Sequence, residues 1–101
     1  MSGSADSISV NEKKRKEARE SQYSSEAYKD LTARLSYNLK RIRSDYGWSQ
    51  EDAAHECGMS TRLIQRIEAG KSNVTLTTLA RLNEGLGVTA KELFLAQTKP
   101  G

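Results

Sequence analysis

The chain has 101 residues, 36% hydrophobic and 29% charged, with a formal net charge of +3, which allows one small domain. Its single cysteine, Cys57, excludes an internal disulfide and a cysteine-built metal cluster and fits a reducing compartment. No apolar run approaches the ~20 residues that span a bilayer, and "MSGSADSISV" lacks the apolar stretch of a secretory signal, so a soluble cytoplasmic chain is expected.

Residues 1–30 read as a polar N-terminal extension, mobile or partly helical. Through residue 24 the large apolar groups are Ile8, Val10 and Tyr23, too few to offset the entropy of ordering. The run Lys13-Lys14-Arg15-Lys16 stands beside Glu12, Glu17 and Glu20, so it fits a solvated, ion-paired helix at least as well as a nucleic-acid arm. Lysines and arginines balance acids over residues 1–30. The positive excess falls in residues 31–101, mild but compatible with a polyanionic partner.

From Ser25 onward Tyr28, Leu31, Leu35, Leu39, Ile42 and Tyr46 recur at steps of three and four, the stripe of an amphipathic helix that Gly47 ends. Ser25, Asp30 and Thr32 are all plausible N-caps for it. Ser49 caps "QEDAAHEC", with acids in the first turn, and Gly58 stops it. Ser60 caps "TRLIQRIEA", which Gly70 stops. After the loop "KSNVT", Thr75 or Thr77 caps "TLARLNEGL", where Leu76, Leu79, Leu82 and Leu86 are expected to face one way. Gly87 ends that helix and Thr89 caps "AKELFLA". The expectation is an all-α, compact five-helix domain over residues 31–96, with a tail at 97–101. Its helices are too short to persist without packing.

The second and third helices are joined by Gly58-Met59-Ser60, a glycine-containing turn of the length that joins two helices steeply. Ala53 and Ala54 offer a small face for that crossing, on which Ile64 and Ile67 pack beside Cys57. Each residue type has its own steric reason, and together they signal a helix-turn-helix. Thr61, Arg62, Gln65 and Arg66, at i, i+1, i+4 and i+5, then share the face opposite the isoleucines. Arginine bonds guanine O6 and N7, glutamine bonds adenine N6 and N7, and threonine touches a thymine methyl. A plain solvated helix face is also polar; the surrounding motif is what favours a reading surface. Gln50 opens the preceding helix, where a free backbone N–H favours an anion.

Here the sequence resembles the phage lambda repressor and Cro proteins, the xenobiotic-response-element family. The resemblance covers about Leu35 to Phe94 and rests on "LKRIRSDYGWSQEDAA", "IEAGKSN" and "LARLNEGLGV". Within it, "KSNVTLTTL" and "LGVTAKELF" resemble the restriction–modification controller branch. The resemblance implies a five-helix domain that binds operator DNA as a homodimer, with the third helix in the major groove. It implies base contacts by Thr61, Arg62 and Arg66, with Gln65 resting more on its own chemistry. It implies phosphate contacts by Gln50, Lys71, Ser72 and Asn73, and an ion pair between Arg43 and Glu68 that ties the first helix to the third. It also implies a dimer surface with Leu86, Val88, Leu93 and Phe94 as candidates, some of which must also plug the core.

The expected function is sequence-specific regulation of transcription on a palindromic operator, with DNA, a second copy and a polymerase subunit as partners. Two other readings fit the same residues: an antitoxin that binds a toxin and its own promoter, and an adaptor whose motif contacts proteins. Glu51, Asp52 and Glu56 near the DNA-facing side keep the adaptor open; two arginines and a glutamine on one face weigh against it. No enzyme, cofactor or metal is expected, since His55 and Cys57 fall on different helix faces and nothing resembles a nucleophile–base pair. Cys57 reads as a small core residue, and Trp48 as a cover for the core at the corner after Gly47.

Overall fold

Among the described residues every helix starts on a hydroxyl. The computed structural model describes residues 25–97, so the Lys13–Lys16 run, most of the expected extension and residues 98–101 lie outside the described residues. Ser25 caps α1 (Glu26–Tyr46), its Oγ accepting from the Tyr28 N–H at 3.1 Å. Asp30 and Thr32, the other candidate caps, lie inside the helix. Residues 26–30, assigned to the extension from sequence, therefore form the first turn of α1.

Ser49 caps α2 (Gln50–Cys57) in a reciprocal box: its Oγ accepts from the Asp52 N–H at 3.0 Å, and Asp52 Oδ2 accepts from the Ser49 N–H at 2.9 Å. The Ser49 backbone N–H first, and the Ser49 hydroxyl beside it, hold the Asp52 carboxyl below the usual carboxylate range. Ser60 caps α3 (Thr61–Glu68), and Thr75, not Thr77, caps α4 (Leu76–Leu86). Thr89 and Glu92 form a second box on α5 (Ala90–Leu93). No strand occurs among the described residues.

α5 stops at Leu93, short of the expected Ala96. The side-chain amide of Asn38 donates to the carbonyls of Leu93 at 3.0 Å and Leu95 at 2.9 Å, fixing this segment in place of further helical bonds. Two more expectations need correction. Leu76 is 83% exposed, because successive three-residue steps turn a helix face by about 60° each and leave it off the direction of Leu82 and Leu86. The α1 stripe is also narrower than read: Leu35, Leu39 and Ile42 are buried, while Leu31 and Tyr46 are about half exposed.

The core joins Leu35, Leu39 and Ile42 to Ala53, Ala54 and Cys57 of α2, Ile64 and Ile67 of α3, Leu82 and Leu86 of α4, and Leu93. α2 packs between α3 and α4, while α1 lies against α3 and α5. Trp48 leans on this core, its ring 4.6 Å from that of Tyr46. Gly85 lets α4 approach α2. A Cβ there would lie 2.6 Å from the Cys57 Cα and 2.7 Å from the Glu56 carbonyl oxygen.

Candidate nucleic-acid interface

The angle between α2 and α3 is set by backbone conformation and side-chain size. Gly58 takes φ 64°, where a Cβ would be strained, and its N–H donates back to the α2 carbonyls. Met59 follows, with its N–H 3.0 Å from the Ala54 oxygen, and Ser60 then caps α3 through the Leu63 N–H at 3.1 Å. Ile64 and Ile67 are buried in the same cluster as Ala53, Ala54 and Cys57, as the motif requires. Burial beside those side chains, with Glu56 adding to the effect, pushes the Cys57 thiol up to about 11, so it is a protonated packing group at neutral pH.

With its isoleucines buried, α3 turns Arg62, Gln65 and Arg66 to solvent, while Thr61 is half-buried at the helix start. The structure brings all four to one exposed side of α3. Among the described residues the Arg62 and Gln65 side chains have no hydrogen-bond partner, and Arg66 Nη2 makes one long contact, 3.3 Å, to the Lys71 carbonyl. These side chains are exposed and not committed to strong bonds within the protein.

The far end of α3 is held firmly. Arg43 Nε donates to Glu68 Oε2 at 2.7 Å and Nη2 to Oε1 at 3.0 Å, while Nη1 bonds the Trp48 carbonyl at 2.8 Å. The ion pair expected from sequence is present, and the bond to Glu68 raises the Arg43 pKa further. Gln50 Nε2 donates to Glu68 Oε1 at 3.1 Å, so this side chain braces α3, while its backbone N–H, at the first position of α2, has no partner within the helix. Buried, hydrogen-bonded pairs of this kind specify geometry more than they add stability.

Lys71 and Asn73 are exposed and Ser72 half-buried in the loop after α3; the Lys71 carbonyl meets Arg66, whereas Ser72 and Asn73 line a groove with Tyr28, Leu31 and Leu35 of α1. Lys71 makes no ion pair among the described residues. Of the expected dimer residues, Leu86 and Leu93 are 1% and 0% exposed inside their own core, so they do not form a surface. Their aliphatic side chains fill the junction of α4, α5 and α1. Val88 and Phe94 stay partly exposed.

Sequence reasoning missed several positioning residues. Ser36 of α1 donates its hydroxyl to the Glu68 carbonyl. Arg81 Nη1 of α4 donates to the Gly58 carbonyl at 3.0 Å, tying α4 to the turn. Tyr46 donates to the Leu86 carbonyl at 2.6 Å. Asn38 carried a readable signal, a polar residue on the buried stripe of Leu35, Leu39 and Ile42. The others carried none.

A helix-turn-helix family model matches residues 39–93. A hypothetical transcription factor of Neisseria meningitidis is 36% identical over 66 residues, which cover 65% of this chain and 62% of that protein, so the chain spans less than two thirds of its relative's length. Control protein C.MunI of a Mycoplasma species is 36% identical over 66 residues, covering 64% of this chain and 89% of that one. Among solved structures, the Neisseria hypothetical transcription factor NHTF superposes with TM-score 0.63 at 35% identity, over 68% of this chain and 79% of that one. The wild-type restriction–modification controller protein C.Esp1396I gives 0.58 at 31% identity, over 63% and 83%.

Proposed function

The chain belongs to the helix-turn-helix family, and from that premise we propose that it regulates transcription by binding a specific double-stranded DNA sequence through α3. The observation that carries this reading is the division of α3 into a buried isoleucine side and an exposed side holding Arg62, Gln65 and Arg66. Thr61, Arg62, Gln65 and Arg66 are the base-reading residues in this scheme. The two arginines supply bidentate donors and the glutamine a donor–acceptor pair, of the kind that discriminate bases in the major groove. The Gln50 backbone N–H, Lys71, Ser72 and Asn73 meet phosphates on either side, setting register without reading sequence.

One recognition helix reads about 3–5 base pairs, so useful specificity calls for two copies on a palindrome, with half-sites about 34 Å apart. Val88 and Phe94 are the members of the expected dimer surface open to a second copy. Similarity to C.MunI and C.Esp1396I supports control of a restriction–modification system as the setting. Selection of bound duplexes from a random pool, followed by gel shift at two salt concentrations, tests the proposal. Enrichment of one palindrome is expected, with affinity falling steeply as salt rises. A pool with no enriched palindrome defeats it.

A further inference from the structure

The last turn of a helix leaves carbonyls without intrahelical partners, and in α3 three of the four find donors just beyond the helix end. Gln65 accepts from the Ala69 N–H at 3.0 Å, Ile67 from Gly70 at 3.0 Å and Arg66 from Lys71 at 2.9 Å. The fourth, Glu68, is a 4% exposed residue whose carbonyl receives no described backbone N–H. Its donor is the Ser36 hydroxyl, delivered from mid-α1, 32 residues away in sequence. A serine within a helix ordinarily turns its hydroxyl to the carbonyl one turn back. Here it turns outward to another helix.

We infer that Ser36 is a positioning residue for the recognition helix, a C-cap supplied from outside the helix-turn-helix. Arg43 and Gln50 hold the Glu68 side chain. Ser36 holds its main chain, and so fixes the end of the helix whose exposed side carries Arg62, Gln65 and Arg66. Side chains that read base edges tolerate displacements of about 0.5 Å, so a slack helix end reaches the bases as lost discrimination. This role rests on the DNA-binding reading, whereas the cap itself does not.

The test is Ser36→Ala, which deletes the donor and puts the best helix former into α1. An effect confined to α1 would therefore stabilise the protein. The expected result is a loss of about tenfold in hydrogen-exchange protection at the Ala69, Gly70 and Lys71 amides, while the Leu82 and Leu86 amides keep theirs. On the DNA sequence selected by the wild type, the ratio of specific to non-specific affinity should fall by about tenfold under conditions where both proteins are fully folded. Unchanged protection at the three amides, or an equal loss in every helix, overturns the cap. Lost local protection with an unchanged affinity ratio overturns the positioning role. A wild type that selects no DNA sequence defeats the functional reading and the positioning role with it, while the exchange data still decide the cap.

Discussion

Arg43 and Glu68 meet through two parallel hydrogen bonds, 2.7 and 3.0 Å long, between the last turn of α1 and the last residue of α3. Glu68 is buried and Arg43 mostly so. Removing the arginine strands a carboxylate that Gln50 alone cannot neutralise. Arg43→Ala should therefore cost about 3–5 kcal/mol, a large share of the stability of so small a domain. Adding Glu68→Gln removes the stranded charge, so the double variant should be less destabilised than the two single costs added together. Urea unfolding of the four proteins measures the coupling. Additive costs would mean the pair is not coupled.

Gly85 sits inside α4, where alanine would ordinarily gain about 1 kcal/mol of helix propensity. The contact with α2 reverses that expectation. A Cβ 2.6 Å from the Cys57 Cα meets backbone, which cannot swing aside like a flexible side chain. Gly85→Ala should be net destabilising by about 1–3 kcal/mol through forced separation of α2 and α4. The neighbouring exposed Glu84→Ala is the control and should stay within about 0.5 kcal/mol of wild type. A thermal melt of Gly85→Ala at or above the wild-type midpoint would contradict the packing argument.

The Arg43–Glu68 pair was legible through the family resemblance, whereas the Gly85 contact marks where sequence patterning stops being informative. The hydroxyl caps and glycine stops placed three helix starts outright, at Ser49, Ser60 and Thr89, and most ends, because capping is local chemistry between residues three apart. The Ile64–Ile67 anchor was equally legible, since its partners Ala53, Ala54 and Cys57 lie just across the Gly58-Met59-Ser60 connection. Leu86, Leu93 and Leu76 were misjudged for a different reason. Helical spacing gives the relative directions of side chains, but which direction is inside depends on neighbouring helices. Gly85 and Ser36 belong to the same class, their roles being close approaches between elements distant in sequence.

Cys57 gives the fold a pH dependence of defined sign. Its thiol is raised from an ordinary 9.0 to about 11 because burial disfavours the thiolate, with Glu56 reinforcing the effect. Below pH 9 the folded and unfolded chains both keep the proton, so the thiol makes stability neither rise nor fall. Between 9 and 11 only the unfolded chain ionises, and its contribution to stability declines with rising pH until the folded thiol also titrates. Subtracting the pH profile of Cys57→Ala from that of the wild type isolates this decline from the lysines and tyrosines. At pH 8 an aromatic disulfide should react slowly with the native thiol and promptly in urea. Fast native labelling would show that the thiol is open to solvent.

Arg66 and Lys71 test the proposed division between reading and anchoring. They are joined by the 3.3 Å contact from Arg66 Nη2 to the Lys71 carbonyl, an exposed bond too weak for loss of the arginine to displace the loop. The two substitutions should therefore report separately. Arg66→Ala should relax preference at one base position per half-site, at about 1–3 kcal/mol for that position, with the salt dependence of binding to unrelated DNA little altered. Lys71→Ala should weaken all sequences alike and lower the salt slope by about one for each lost phosphate contact. Gel shifts on the selected palindrome, on its single-base variants and on unrelated duplex, each across a salt series, separate the outcomes. If both variants lose the same affinity on every duplex, Arg66 is another phosphate contact, and base reading falls to Arg62, Gln65 and Thr61.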